Sequence, residues 1–590
     1  MGGSRAAVIV AIGVTAVAAG PASGAMDPPP RPEPPGPRPN VVVVMTDDQT
    51  QASLGVMANV ESQLVERGTT FANNFTNWPL CCPSRATFYT GQYAHNHHVL
   101  GNSAPDGGFP RLNDSSTLPV WLQQAGYQTV HIGKYLNGYG EGASDPAYVP
   151  PGWNEWYAAT SGTTQSVYDY VLNQNGTLVN RGATVADFKQ DVFSDLAVDA
   201  INRHAPGGPF FLGVMYTAPH SGGPNPSPQP PADCNAAPKP AVRHASVFDA
   251  EPLPQPPSFN EADVTDKPAA IQALPPMTAA EITNAQRRYR CRLESLLSVD
   301  DGVGRILAAL RSSGELDRTL IIFTSDNGFF AGEHRVQTGK NRVYEEALRV
   351  PLVIRGPGVQ EGVAVDDLTI NADLAPTILD ATGATAGLTD DGRSLLPLAA
   401  HPDRLQGREL LLEKGNVLED NDPTPQSGAF AAVRTSRYVY VENTTGEREL
   451  YDLAADPYQL TNQAANPAYA PVASALASRL ATLRSCAGSS CRRKPALNLK
   501  LPRSVRAHGR SCRPRADFIA RVGGQGTAEL ETVRFAVGGK QAGDDDRRPF
   551  KKRLLPRLLR DRHRPEIVAV GEMVDGRMPT LQRRVRLCQA

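Results

Sequence analysis

Net charge is nearly absent from this chain: 59 Lys and Arg stand against 60 Asp and Glu over 590 residues. Bulk charge therefore demands no nucleic-acid or acidic-membrane partner. No internal repeat is evident, which argues against a solenoid. Cysteine is scarce, with eight residues, too few for a disulfide-dense scaffold but suited to an exported protein. Long apolar runs are missing beyond the N-terminus, so no later segment offers a stable membrane span. The one run present, Ala6 to Ala19, follows Arg5 and precedes the small residues Ser23-Gly24-Ala25. That pattern reads as a signal peptide over 1–25, with an uncleaved anchor as its alternative. Residues 26–39 are proline-rich and read as a linker.

The length is enough for three or four domains. Charge is unevenly spread: residues 492–590 hold 25 Lys or Arg and 10 Asp or Glu. An acidic body joined to a basic tail suggests two modules.

Val41-Val42-Val43-Val44-Met45 is a continuous β-branched run, the mark of a strand buried on both faces of a parallel sheet. Further strands are expected over 127–132, 210–216 and 320–323, with helices over 117–126 and 278–313. Leu293, Leu296, Leu297 and Ile306 are the expected buried positions of the second helix. In open α/β sheets, ligands bind beyond the carboxyl ends of the strands. Here those ends deliver Asp47-Asp48, Lys134, His220 and Asp326-Asn327. Asp47, Asp48, Asp326 and Asn327 form an all-oxygen donor set, which favours Ca²⁺, or else Mg²⁺, over zinc. Singly, each such residue is more often a solvated or structural group.

Residues 224–276 hold 14 prolines and cannot form regular helix or central strand. They read as an excursion over the surface, either lining a cleft or as a solvated insertion. Beyond residue 400, antiparallel strands are expected at 438–441 and 449–453, then a helix at 470–483. After 495, short strands at 516–522, 531–537, 567–574 and 582–587 suggest a small β-sandwich, with a disordered basic tail as the alternative. Pairing by proximity gives Cys234–Cys291, Cys486–Cys491 and Cys512–Cys588, one of 15 connectivities open to six cysteines.

Cys81-Cys82-Pro83-Ser84-Arg85, continued by Ala86, Thr90 and Gly91, resembles the signature of type I sulfatases. The resemblance extends through Gly133-Lys134-Tyr135-Leu136-Asn137, Pro150-Pro151-Gly152-Trp153, Ala218-Pro219-His220, Gly339-Lys340 and Glu449-Leu450-Tyr451-Asp452-Leu453. It covers about 40–462 and implies an alkaline phosphatase-like α/β fold: a mostly parallel sheet between helices, with a small α+β C-terminal subdomain. The implied layout is a catalytic domain at 40–400, a subdomain at 401–490, and an extra β-sandwich-like module at 491–590.

The resemblance further implies that Cys81 is oxidised to formylglycine by a formylglycine-generating enzyme. One hydroxyl of the hydrated aldehyde would attack sulfur; the other would lose its proton and release sulfate. The implied metal ligands are Asp47, Asp48, converted Cys81, Asp326 and Asn327, usually around calcium. Arg85, Lys134 and Lys340 would hold the side chain or sulfate, and His220 or Lys340 would protonate the departing alcohol. Many sulfatases have a histidine at the position of Leu136. N-acetylglucosamine-6-sulfatases and heparan endosulfatases share the Leu-Asn found here, and also resemble His95-Asn96-His97-His98. Asn137, His97 and His98 are candidates for the missing role. The implied substrate is a sulfated carbohydrate bearing a 6-O-sulfate, and the location is secreted or cell-envelope. A phosphonate monoester or phosphodiester hydrolase on the same fold, or an inactive secreted glycan binder, are the competing readings.

Overall fold

A computed structural model describes residues 38–587 except 143, 161, 222–233, 235–237, 403–406, 416–427, 494–496, 502–504, 508–509, 513–517, 556–557 and 559–564. The signal-peptide segment, most of the linker, and Cys588 of the expected third disulfide lie outside the described residues.

Ten strands form the central sheet: β1 (Asn40–Thr46), β2 (Thr69–Phe75), β3 (Gln128–Gly133), β4 (Glu155–Thr160), β5 (Val171–Gln174), β6 (Thr177–Asn180), β7 (Phe210–Met215), β8 (Thr319–Ser325), β9 (Leu352–Arg355) and β10 (Val363–Ile370). Their order is β10-β2-β9-β8-β1-β7-β3-β4-β5-β6. The centre is parallel, β1 pairing with β7 and β8, and β3 with β7 and β4. β9 runs antiparallel between β2 and β8. The apolar run of β1 is split by its two-residue period. Val41, Val43 and Met45 face one core, with helices α1 (Cys81–Thr90), α2 (Leu118–Gln124) and a third helix at Leu374–Thr382. Val42 and Val44 face the other core. There they meet two helices, Lys189–His204 and Ala279–Ser312. Burial on both faces is why the strand is uninterrupted by polar residues.

The 34-residue helix starts at a capping box in which Thr278 and Glu281 satisfy each other's backbone amides. Leu293, Leu296 and Ile306 are buried as expected, but Leu297 is only half-buried.

The described part of the proline-rich excursion is anchored at buried positions, with exposed residues between them. Ser258, Glu261, Val264, Lys267 and Ile271 are all buried. Arg335, six residues after Phe329 in the following loop, donates to the carbonyls of Glu261, Ala262 and Leu274. Excursion and loop thus brace each other.

Downstream, β11 (Leu410–Lys414), β12 (Phe430–Arg434), β13 (Tyr438–Asn443) and β14 (Arg448–Asp452) form an antiparallel sheet. It is covered by a helix at Ala470–Leu483, where the sequence placed it. The last strands are β15 (Asn498–Lys500), β16 (Val505–Ala507), β17 (Arg510–Cys512), β18 (Phe518–Gly523), β19 (Leu530–Val537), β20 (Lys540–Asp545), β21 (Lys551–Leu554), β22 (Glu566–Met573) and β23 (Thr580–Arg584). Sheets β15-β18-β21 and β20-β19-β22-β23 share one apolar core, apart from the hairpin β16-β17. Arg577 fastens this sandwich to the segment just before β11. Its buried guanidinium meets Asp575 at 2.7 Å, Glu529 at 2.8 Å and Glu409 at 3.4 Å. Disulfides Cys234–Cys291 and Cys486–Cys491 are formed as expected. Among the described residues, no helix is long and apolar enough to cross a membrane.

Candidate active site

Asp47 and Asp48 follow β1, Lys134 follows β3, His220 follows β7, and Asp326 and Asn327 follow β8. The parallel register brings these ends side by side. Asp47 N donates to the Ala218 carbonyl at 3.1 Å, Asp326 N to the Thr46 carbonyl at 3.2 Å, and Lys134 N to the Met215 carbonyl at 2.9 Å. Asp48 has φ 69°, a left-handed conformation that is costly for a non-glycine residue. Its carboxylate is thereby returned toward the cluster. Arg292, from the 34-residue helix, donates to the carbonyls of Asp48 and Pro219 and stacks 4.1 Å from the Phe329 ring.

Cys81 is the first residue of α1. All ten residues of this helix are buried. Cys82 N donates to Asn102 Oδ1 at 3.0 Å, and Asn371 Nδ2 to Ser84 Oγ at 2.9 Å, so side chains from other loops fix the helix start. Cys81 Sγ points into the carboxylate cluster, 3.5 Å from Asp47 Oδ1. Cys82 Sγ turns into the apolar core and accepts from Asn137 N at 3.0 Å.

Each lysine of the site follows a glycine with positive φ: Gly133 at 112° and Gly339 at 102°. A Cβ on Gly133 would sit 2.0 Å from the Met215 carbonyl oxygen. Only glycine fits that close approach. Lys134 Nζ meets Asp47 Oδ2 at 2.5 Å. Lys340 Nζ lies 2.9 Å from Cys81 Sγ and also pairs with Asp48. Arg85 Nε meets Asp326 Oδ2 at 2.8 Å, and Arg85 Nη1 the Lys134 carbonyl at 2.9 Å. Asp326 Oδ1 also accepts from the amides of Asp48 and Asn327. His220 Nδ1 is 2.8 Å from the Ser221 carbonyl, and its Nε2 is 3.7 Å from Asp48 Oδ2.

The electrostatics follow. Burial pushes the Asp47 and Asp48 carboxyls up, yet the surrounding Lys134, Lys340, His220 and Arg85 or Arg292 charges hold both below the ordinary carboxylate range. Burial opposes the Lys134 and Lys340 ammonium groups, but Asp47 and Asp48 respectively hold them above their usual value. Burial pushes the Cys81 thiol up against the pull of both lysines. The cysteine as encoded is therefore a poor thiolate nucleophile.

Asp47, Asp48, Cys81 and His220 offer donor atoms that all lie within 4.8 Å of one another. Asn327 Nδ2 donates to Asp48 Oδ1 at 2.6 Å, while its Oδ1 is buried with no hydrogen-bond partner. An orphaned buried oxygen beside ionised carboxylates fits a cation. Arg85 Nη2 is likewise buried without a hydrogen-bond acceptor, 4.0 Å from Asp47 Oδ2, a position from which it can also meet an anion.

All nine expected site residues thus converge. Among the described residues, none of the candidates for the missing histidine forms a hydrogen bond or ion pair with these nine. Leu136 is buried in the core, His97 Nε2 pairs with Thr87 Oγ1 at 3.0 Å, and His98 is exposed. The backbone N–H of Asn137 donates to Cys82 Sγ at 3.0 Å, while its side-chain Oδ1 is buried with no hydrogen-bond partner. Sequence reasoning missed Arg292, Asn102 and Asn371, which belong to no local pattern.

A buried cation–carboxylate cluster at the carboxyl ends of a parallel sheet stands where such folds bind their ligands. Two family models match: Sulfatase over 39–384, and N-sulphoglucosamine sulphohydrolase, C-terminal, over 332–486. The human N-acetylglucosamine-6-sulfatase is 33% identical over 490 residues, covering 77% of this chain and 86% of its own. A putative extracellular sulfatase Sulf-1 homolog of Caenorhabditis elegans is 36% identical over 372 residues, 61% of this chain; the match spans only 49% of that longer protein. A solved structure in complex with its substrate D-glucosamine-2-N,6-O-disulfate superposes with TM-score 0.64 at 24% identity, covering 77% of this chain and 98% of that one. A phosphonate monoester hydrolase of Agrobacterium radiobacter superposes with TM-score 0.58 at 23% identity, covering 76% and 96%. The fold is the alkaline phosphatase-like one that the resemblance implied. The chain belongs to the sulfatase family, and so to the sulfuric ester hydrolases. Both family matches end by residue 486, short of the β-sandwich.

Proposed function

We propose that this chain hydrolyses sulfate monoesters of a sugar, with the 6-O-sulfate of a glucosamine-type residue as substrate, after conversion of Cys81 to formylglycine. The carrying observation is the position of Cys81 Sγ, between Lys340 Nζ at 2.9 Å and Asp47 Oδ1 at 3.5 Å, at the start of a helix. The helix N-terminus and the paired lysines favour an anion there. The relatives named as glucosamine-6-sulfatases and extracellular sulfatases support the substrate class and an extracellular or cell-envelope location.

Asp47, Asp48, Asp326 and Asn327, with the Cys81 side chain, would hold a calcium ion. When bound, it would polarise a sulfate oxygen and favour ionisation of the attacking hydroxyl. The converted Cys81 would supply that hydroxyl and a second one through which sulfate is released. Lys134 and Lys340 bind sulfate oxygens, and the Nη2 of Arg85 orients the converted side chain. Lys340 has ammonium protons to give to the departing alcohol. His220, held toward its neutral form by burial against the pull of Asp48 and Asp47, is the proton acceptor of the pair.

Mass spectrometry of the Cys81 peptide tests the conversion: formylglycine is about 18 Da lighter than cysteine, the side chain CH₂–SH becoming CHO. Turnover of 6-sulfated N-acetylglucosamine against a phosphate diester tests the substrate. Preferential diester hydrolysis would establish the phosphodiesterase reading instead.

A further inference from the structure

In the sheet β15-β18-β21, Lys500 pairs directly with Arg521, and Arg521 with Lys551. Directly paired residues of antiparallel strands point to the same face. All three are exposed, while their neighbours Leu499, Ala520, Val522 and Leu554 are buried against the second sheet. Two positions along, Arg553 lies on the same face opposite Ile519. Strands lie about 4.8 Å apart, so the row of three cations spans about 10 Å.

Like charges placed directly opposite each other destabilise a sheet. Among the described residues, no carboxylate forms an ion pair with Lys500, Arg521 or Lys551. The nearby acidic run is engaged elsewhere: Asp544 with Arg534, Asp546 with Arg547, and Asp545 with the amides of Arg547 and Lys551. A row of cations with no carboxylate ion partner on one face of a sheet is a cost to folding that an external anion removes.

We propose that the outer face of β15-β18-β21 binds a sulfated polysaccharide through the row Lys500, Arg521 and Lys551. The choice of polymer rests on the sulfate-ester reading of the catalytic site. The face itself favours a charge-only ligand: it carries no Phe, Tyr or Trp on which a base could stack, as single-stranded nucleic-acid surfaces do. Binding there holds a polymer on the enzyme and raises the local concentration of its sulfate groups at the catalytic site.

The test compares the full-length protein with the triple variant Lys500→Ser, Arg521→Ser, Lys551→Ser. A second triple, Lys540→Ser, Arg583→Ser, Arg584→Ser, removes the same charge from the other sheet. The probes are heparin, chemically desulfated heparin, duplex DNA and the small substrate 6-sulfated N-acetylglucosamine. The first triple is expected to bind heparin about tenfold or more weakly, with elution at lower salt. The control triple should bind nearly as wild type, desulfated heparin should not bind, and monosaccharide turnover should be unchanged. Equal heparin affinity in wild type and first triple overturns the proposal, as does equal weakening by both triples. Duplex DNA held as tightly as heparin, with the same dependence on the row, overturns the choice of a sulfated polysaccharide. Absent turnover of the monosaccharide by wild type refutes the catalytic reading alone, and the binding arms still decide this one.

Discussion

The ammonium of Lys340 bridges Cys81 and Asp48: Nζ is 2.9 Å from Cys81 Sγ and paired with the Asp48 carboxylate. One cation thereby links the residue to be oxidised with the acid whose backbone is in the left-handed region. The neighbouring cysteine instead faces the apolar core and accepts from the Asn137 amide, and the first prediction follows from that contrast.

Cys81→Ala should abolish sulfate ester hydrolysis. Cys82→Ala should keep a measurable rate and lower stability, because it removes a buried sulfur from the core and the acceptor of the Asn137 amide. A loss of about 1–2 kcal/mol is expected for this small truncation. Turnover assays and thermal unfolding of both variants decide the matter, and total loss in both would refute Cys81 as the sole modified residue.

Removal of divalent cations with a chelator should inactivate the enzyme, and calcium should restore it. Full activity of protein shown by elemental analysis to be metal-free would refute the proposed ligand set.

Arg292→Met should retain much of the apolar contact with Phe329 but lose both hydrogen bonds to the carbonyls of Asp48 and Pro219. Misplacement of catalytic groups by about 1 Å can cost about 100-fold. A fall in kcat/KM of about 10- to 100-fold is expected, with the Cys81 conversion unaffected by mass spectrometry.

Gly133→Ala should misplace Lys134, since the new Cβ would meet the Met215 carbonyl at 2.0 Å. A destabilisation of about 1–3 kcal/mol, with weaker substrate binding, should appear in denaturant unfolding and in KM. An unchanged KM would separate Lys134 from the substrate.

His95, in the short helix Ala94–His97 after α1, couples it to β11 through Glu413 Oε2 at 2.9 Å and to the Cys486 carbonyl at 2.9 Å. Burial depresses its pKa, but the hydrogen bond and charge of Glu413 raise it above the ordinary 6.5. The folded state therefore binds the proton more tightly than the unfolded chain. That stabilisation is complete below pH 6.5 and disappears as pH rises through the folded value. The stability difference between wild type and His95→Gln should shrink across that window in denaturant titrations.

Much of this was legible in the sequence because it is local. A β-branched run made β1 visible, and the polar residues just after the strands marked the site. The cysteine signature and the two Gly-Lys pairs fixed the rest of the cluster. What escaped is held by contacts distant in sequence. Arg292 lies 244 residues from Asp48, on a helix whose periodicity announces only its core face. The left-handed backbone of Asp48 has no glycine to signal it. The anchored excursion escaped too, since its prolines exclude regular structure without showing what the segment rests on.

Arg577 gives the terminal sandwich a different character from a detachable tag. Its guanidinium joins Asp575 and Glu529 of the sandwich to Glu409, just before β11. Glu409 is itself buried and paired also with Arg479. Truncation before the sandwich would strip one counter-ion from a buried carboxylate and uncover the surface around it. Engineering that seeks a smaller enzyme should therefore recut this seam, replacing Glu409 and Arg479 together, rather than simply shorten the chain.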